Sequence, residues 1–371
     1  MRAISQGDST YDIFDDSLRV YEQLPAQSYV VRCSERRGFY LSKYVEMEIS
    51  ESKVYGIHEE KVDKVLTAFA EMNRSLGVIL SGDKGIGKSL FAKMLAASAI
   101  ANNIPVIVVD KYFGGIASYI ESIEQEAMIL FDEFDKTFGE VRAKDGESSP
   151  QTDLLTLFDG LSGGKKLFVV TCNELRKLNE YLINRPGRFH YHFRFDYPSA
   201  PEIRQYLHDK LNESYYGEID SVIAFSGKVS LNYDCLRSIA FELNHGLAFA
   251  DAIKDLNIIN TEVESYKVTM RYANGLVVSN KSVKLDLFSG DEDTVTVWMY
   301  DRNGHNLVDV TFSPANTIYD LHTGAYMVTP DNLTLSYDDD DDSDSVKAAK
   351  GSSVECLTIS RKISKSIHYT V

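Results

Sequence analysis

Cysteine is scarce in this sequence. The four in 371 residues (Cys33, Cys172, Cys235 and Cys356) lie far apart, with no C-x-x-C pair. That spacing argues against a zinc ribbon or a disulfide framework and suits a reducing compartment. Long apolar runs are missing as well. No stretch approaches the ~20 uninterrupted apolar residues that span a bilayer. The opening residues, MRAISQGDSTYDIFDD, hold no apolar core of the signal-peptide kind. A cytoplasmic protein without a membrane partner is the expectation left by exclusion. Basic residues are in deficit, 39 Lys and Arg against 55 Asp and Glu, for a formal charge of −16. Such a chain repels a phosphate backbone, so a nucleic-acid partner is not expected unless a local basic patch overcomes the repulsion.

What the chain does contain is organised in blocks. Residues 1–50 hold short alternating stretches at 28–33 and 38–43, which predict a few strands in a small N-terminal segment. Apolar runs at 76–82, 105–111, 127–133 and 166–173 alternate with helix-like segments such as 88–102 and 154–161. That alternation predicts a parallel sheet with helices on both faces, over residues 51–197. The strand signal disappears over 198–264, where 201–211, 232–244 and 248–259 predict a small helical lid. From 265 to 371 alternating stretches return at 266–272, 294–300, 307–312 and 354–359, with Asn274-Gly275 and Asn303-Gly304 as turn signals. A β-rich C-terminal domain of hairpins follows. Its acidic run, 338–344, reads as a solvated loop, since it lacks the spacing, glycine and terminal glutamate of an EF-hand.

Chemistry concentrates in the α/β block. Gly82, Asp83, Lys84, Gly85, Ile86, Gly87, Lys88 and Ser89 satisfy G-x-x-x-x-G-K-[ST] in full, after a strand-like run and opening a helix through Leu90. Glycines there let backbone N–H groups wrap phosphates at a helix N-terminus. Lys88 is placed to reach the β- and γ-phosphates and Ser89 to hold Mg2+. An α/β P-loop nucleotide-binding fold with ATP and Mg2+ as cofactors is therefore expected. The run 127–133 ends in two carboxylates, Asp132 for the magnesium ion and Glu133 to polarise the attacking water. The strand 167–173 ends in Asn173, whose amide is a candidate neighbour of the γ-phosphate, or simply a turn former. Arg185 and Arg188 flank a Pro-Gly turn, so both guanidinium groups project from one corner. They suit charge neutralisation in trans on a transferred phosphoryl group, or else a surface ion-pair turn. His190, His192 and Cys172 offer no fourth ligand and do not make a zinc site.

In this order and spacing, KYFG (111–114), Asp132-Glu133, LLTLFDGL (154–161), TCN (171–173) and RPGRF (185–189) resemble the AAA family proper, the group of katanin, FtsH-type and NSF-like ATPases, over residues 54–246. The resemblance implies Arg185 and Arg188 as arginine fingers on the neighbouring subunit's ATP, Asn173 as sensor, and a homo-oligomeric, hexameric ring. It implies adenine contacts from Tyr55 and Gly56. It also implies a pore loop of Lys111, Tyr112 and Phe113 in which Tyr112 grips an extended polypeptide, an aromatic face holding any sequence; the alternative is a strand-end aromatic packed under the next helix. Phe138 and Arg142 are candidates for a second loop. The family's Asp-Arg after the RPGRF segment is replaced by His190 and Tyr191. The helix at 232–237 lacks the usual Ser-Gly-Ala-Asp turn, so Arg237 is either a phosphate sensor or a helix-surface arginine. Expected function is ATP-driven remodelling or threading of a protein substrate, with a nucleic-acid motor or a slow assembly switch as alternatives.

Overall fold

The computed structural model describes residues 2–6, 10–44, 55, 58–139, 150–159, 164–183, 185–258, 263–288, 293–337 and 344–362. Gly56, Arg142 and the acidic run at 338–343 lie outside the described residues. The chain divides into two compact units, Met1–Asp196 and Tyr197–Val371.

The first unit opens with a two-stranded hairpin, β1 (Arg2–Gln6) and β2 (Thr10–Phe14). The elements that follow are β3 (Ser28–Ser34), β4 (Gly38–Lys43), α1 (His58–Glu71), β5 (Leu76–Ser81), α2 (Lys88–Ala101), β6 (Val106–Val109), α3 (Ile116–Glu121) and β7 (Ala127–Phe131). The unit closes with α4 (Phe134–Thr137), α5 (Pro150–Asp153), α6 (Leu155–Phe158), β8 (Lys166–Cys172) and β9 (Tyr191–Arg194). One seven-stranded sheet runs β4-β3-β6-β7-β8-β5-β9, parallel throughout except for β4 at its edge. Every residue of β5, β6, β7 and β8 is buried, as expected for strands covered on both faces. The pairs Ser81↔Cys172 and Phe131↔Val170 bring the carboxyl ends of β5, β7 and β8 side by side. Ligands of open α/β sheets sit at such ends.

The strands expected in 1–50 do not form a separate segment. Tyr29, Val30 and Val31 are buried, and β3 pairs in parallel with β6, so the N-terminal strands widen the nucleotide-binding sheet.

In the second unit, α7 (Ala200–Lys210), α8 (Ile219–Ser226), α9 (Tyr233–Asn244) and α10 (Phe249–Asp255) come first. Ser199 and Glu202 cap α7 reciprocally, and the Asn232 side chain caps α9 by accepting from the Cys235 N–H at 2.8 Å. There follow β10 (Ser265–Tyr272), β11 (Val277–Lys284), β12 (Val295–Tyr300), β13 (Asn306–Phe312), β14 (Ile318–Asp320), β15 (Ala325–Val328), β16 (Thr334–Ser336), α11 (Asp344–Lys350) and β17 (Val354–Arg361). They make an eight-stranded antiparallel sheet in the order β14-β15-β17-β10-β11-β12-β13-β16. Both Asn-Gly turns close hairpins, with Gly275 and Gly304 in the left-handed region. Helices and sheet share this one unit: Lys228 Nζ donates to Leu287 O at 2.8 Å, and the Tyr326 hydroxyl donates to Ala224 O. No helix among the described residues is long and apolar enough to cross a membrane.

Candidate functional site

The loop leaving β5 is shaped by glycines in backbone conformations that side chains rarely adopt. A Cβ on Gly82 (φ +139°) would lie 2.3 Å from Phe195 O. Gly85 and Gly87 take φ values of 75° and 100°. Gly87 caps α2 without a side-chain hydrogen bond, so the first-turn N–H groups of a 14-residue helix are left for an anion. Ile86 is buried and anchors the loop, whereas Asp83, Lys84 and Ser89 are exposed and Leu90 is half-buried. Lys88 is buried, and its ammonium donates to Gly82 O (2.6 Å), Asp83 O and Asn173 Oδ1 (2.9 Å). Burial pushes its pKa down, and the nearby Cys172, Asp83, Asp135 and Asp132 pull it back up. Loop, cation and Asn173 therefore meet in one place.

The second motif is tied to the same place through Thr171. Its hydroxyl donates to Asp132 Oδ1 at 2.7 Å and accepts the Glu133 N–H at 2.8 Å. Glu133 sits in the left-handed region (φ 47°), uncommon for a side-chain-bearing residue, and its exposed carboxylate pairs with Lys136. Asp135 is 1% exposed, and its Oδ2 accepts the backbone N–H groups of Asn173 and Glu174, both at 3.1 Å. The other oxygen, Oδ1, is buried without a hydrogen-bond partner. Neither Thr171 nor Asp135 received a role from the sequence. The available signal was an acid two residues beyond Glu133 and a hydroxyl two before Asn173. Cys172 between them is buried with its thiol pushed up to about 12 by desolvation, so it is no thiolate ligand.

The arginine corner leans on the P-loop strand. A Cβ on Gly77 of β5 would lie 2.2 Å from Arg188 O, and the His190 N–H donates to Gly77 O at 2.9 Å. The two guanidinium groups differ. Arg185 is exposed, stacks over the Tyr181 ring at 5.3 Å and makes no ion pair among the described residues. Arg188 is bidentate with Asp159, within its own chain, and donates to Tyr181 O at 2.8 Å. The hydrogen bond to Arg188 holds the Asp159 carboxyl below its usual range and raises Arg188.

Other expected residues lie as follows. Tyr112 is half-buried, edge-on to Phe138 at 5.9 Å, with its hydroxyl donating to Asp153 Oδ2 at 2.9 Å. Phe113 packs edge-on to Phe39 at 6.2 Å, and Lys111 is exposed. Tyr55 is buried. Phe138 does not belong to a second loop: it is 1% exposed and stacks on Phe134 at 4.7 Å, because it completes the aromatic cluster under β7. Arg237 pairs with Asp234 on the surface of α9. His192 Nε2 lies 2.7 Å from Ser81 Oγ.

A polyphosphate with a divalent cation fits these residues. The uncapped α2 N-terminus and Lys88 would hold the phosphates, and the oxygens of Ser89 and Asp132 suit Mg2+. Residues 78–197 match the ATPase family associated with various cellular activities (AAA). The chain is 27% identical over 181 residues to the putative ribosome biogenesis ATPase nvl of Dictyostelium discoideum, covering 43% of this chain and 21% of that protein. It is 31% identical over 124 residues to the cell division cycle protein 48 homolog of Archaeoglobus fulgidus, 30% of this chain and 17% of that one. It is 31% identical over 163 residues to the 26S proteasome regulatory subunit S10B homolog B of Arabidopsis thaliana, 39% of this chain and 40% of that one. The chain thus spans less than half the length of these curated relatives. Taken with the convergence of loop, carboxylates and Asn173, the match marks residues 78–197 as an AAA-type ATPase domain.

Proposed function

We propose that the chain hydrolyses ATP with Mg2+ and couples turnover to the remodelling of a protein substrate, working as a ring in which each site is completed by a neighbour. The observation that carries the catalytic part is the Lys88–Asn173 hydrogen bond beside the Thr171 bridge to Asp132 and Glu133. In this reading Lys88 and the loop hold the phosphates, Ser89 and Asp132 hold the metal, and Glu133 orients the lytic water. Arg185, exposed at a corner braced on β5, is the guanidinium offered to the adjacent protomer. A hexamer and a central pore in which Tyr112 engages the client extend the same reading. The relatives named for ribosome biogenesis and the proteasome support a protein client over other substrates.

Glu133→Gln tests the core of it. The variant should bind ATP as tightly as the parent and lose turnover by about 100-fold or more. Unchanged turnover would remove Glu133 from the chemistry. Client engagement is read separately: an unfolded protein should stimulate ATP turnover in the parent and not in Tyr112→Ala. Equal stimulation of both would leave the ATPase standing and discard the pore loop.

A further inference from the structure

The open face of the eight-stranded sheet carries a cluster that the nucleotide site does not use. Trp298, the chain's single tryptophan, sits in mid-strand in β12 and is 60% exposed. Alternation places Thr296, Trp298 and Tyr300 on the side opposite the buried Val297 and Met299. Across the sheet Tyr300 pairs with Ser279, Ser279 with Thr269, and Thr269 with Thr358, so this row of the face sets three hydroxyl-bearing residues beside Tyr300. The next row runs from Ser336 through Asp309 to Trp298, and the Asp309 carboxylate accepts from Asn306 Nδ2 at 3.0 Å. The Asn280 side chain donates to Trp298 O at 3.0 Å, which ties β11 to β12 one residue before Lys281. The register of β10 and β11 shifts between Tyr266↔Val283 and Val268↔Asn280, a bulge that leaves Lys281 and Ser282 together opposite Lys267. Arg271 lies two places further along on the side of Thr269 and Lys267. Lys267, Arg271 and Lys281 are exposed and make no ion pair among the described residues.

Two lysines gathered at a bulge between neighbouring strands repel each other. In a chain of charge −16, carboxylates to relieve them are plentiful, yet none is paired with these three cations. An anionic partner resolves that tension. Strands β10, β11 and β12 are each hydrogen-bonded on both sides, so an extended acidic peptide cannot join them as an added strand and any partner must lie on the face. Trp298 and Tyr300 then present two flat π surfaces in succession, ~7 Å apart along the strand. Sequence-tolerant stacking of unpaired bases uses such platforms, flanked by cations for the phosphates and hydroxyls for sugar and base edges. We propose that this face binds single-stranded nucleic acid. It is the local basic patch that an acidic chain needs for such a partner, and it stands independently of the ATPase reading.

Because Trp298 is the chain's one indole, its fluorescence reports on this face alone. Oligo-dT and oligo-U are titrated separately into the full chain without nucleotide, at about 50 and about 200 mM salt. Quenching by either supports the proposal, and the arm that quenches says which sugar is preferred. Three cations meeting phosphates of a single strand give a slope of about −2 in log K against log salt, so affinity should fall by roughly 20-fold between those conditions. Lys267→Glu with Lys281→Glu should weaken binding by at least about 10-fold while ATP turnover stays at the parent rate. Trp298→Phe, followed by anisotropy of a labelled oligonucleotide, should weaken it by about 5- to 150-fold if the indole stacks on a base. The proposal is overturned if neither oligonucleotide quenches at low salt, if duplex DNA binds as tightly, or if the variants bind like the parent. Quenching by polyglutamate without quenching by oligonucleotides would overturn it too, in favour of an acidic protein partner.

Discussion

Asp135→Ala is the substitution that asks most of the site geometry. Asp135 Oδ2 holds the backbone N–H groups of Asn173 and Glu174, and the carboxylate is 1% exposed. Hydrogen bonds to an ionised acceptor contribute about 1.5–3 kcal/mol each, and truncation takes that acceptor from two part-buried N–H groups. A combined loss of about 3 kcal/mol, expressed in how firmly Asn173 is held beside Lys88, corresponds to about two decades in rate. The Lys88 bonds to Gly82 and Asp83 survive, so nucleotide affinity should change by less than about 3-fold. Steady-state turnover and fluorescent-nucleotide binding, measured on the same preparation, separate the two effects. Asp135→Asn keeps an acceptor oxygen for the same N–H groups and should recover to within about 10-fold of the parent. If Asp135→Ala turns over normally, or if Asp135→Asn is as impaired as Asp135→Ala, the positioning argument fails.

Thr171→Val should remove the bridge between Asp132 and the Glu133 N–H, cost about 1–3 kcal/mol, and appear as a raised magnesium requirement for turnover, which Thr171→Ser restores. Arg185→Ala should cut turnover by about 100-fold or more in the assembled protein with nucleotide binding intact; unchanged turnover would deny Arg185 a role in trans. Arg188→Ala and Asp159→Ala should be non-additive in denaturant unfolding, with a coupling of at least about 0.5 kcal/mol; strict additivity would mean that the pair contributes nothing. Lys166 is fully buried, donates to Gln125 O and Gly164 O, and has its pKa pushed down to about 8 by desolvation. The folded chain then binds fewer protons than the unfolded chain between about pH 8 and about pH 10.5, so stability rises with pH across that window, by up to about 3 kcal/mol. Lys166→Met should lose that increment relative to the parent in unfolding measured at both ends of the window, and parallel curves would refute the burial argument.

Legibility in the sequence followed the range of the interactions involved. The P-loop, the Asp132-Glu133 strand end and the Asn-Gly hairpins are set by residues within a few positions of each other, and each appears where local patterning puts it. Long-range pairing was hidden. Nothing within residues 28–34 says that this strand will lie beside Val106–Val109, some 78 residues away. Strand β11 was missed because VVSNKSVK is polar and a register shift at 281–282 breaks its alternation. Asp135 reads as one more acid in an acidic stretch until its carboxylate is found beneath Asn173. The two arginines of the Pro-Gly corner looked equivalent, and only coordinates show one clasped by Asp159 and the other exposed.

Arg361 ends β17 and reaches three ways: to Glu264 at the threshold of β10, to Ser230 Oγ at 2.6 Å, and to Ser226 O at the close of α8. With Lys228 and Tyr326 it rivets the helical layer to the sheet at several points. Swivelling one against the other would strip a half-buried guanidinium of its acceptors. The end of α8 and the residues after it are therefore braced to the sheet by bonds that join residues 224–230 to Leu287, Tyr326 and Arg361, so the two layers share one set of part-buried polar contacts.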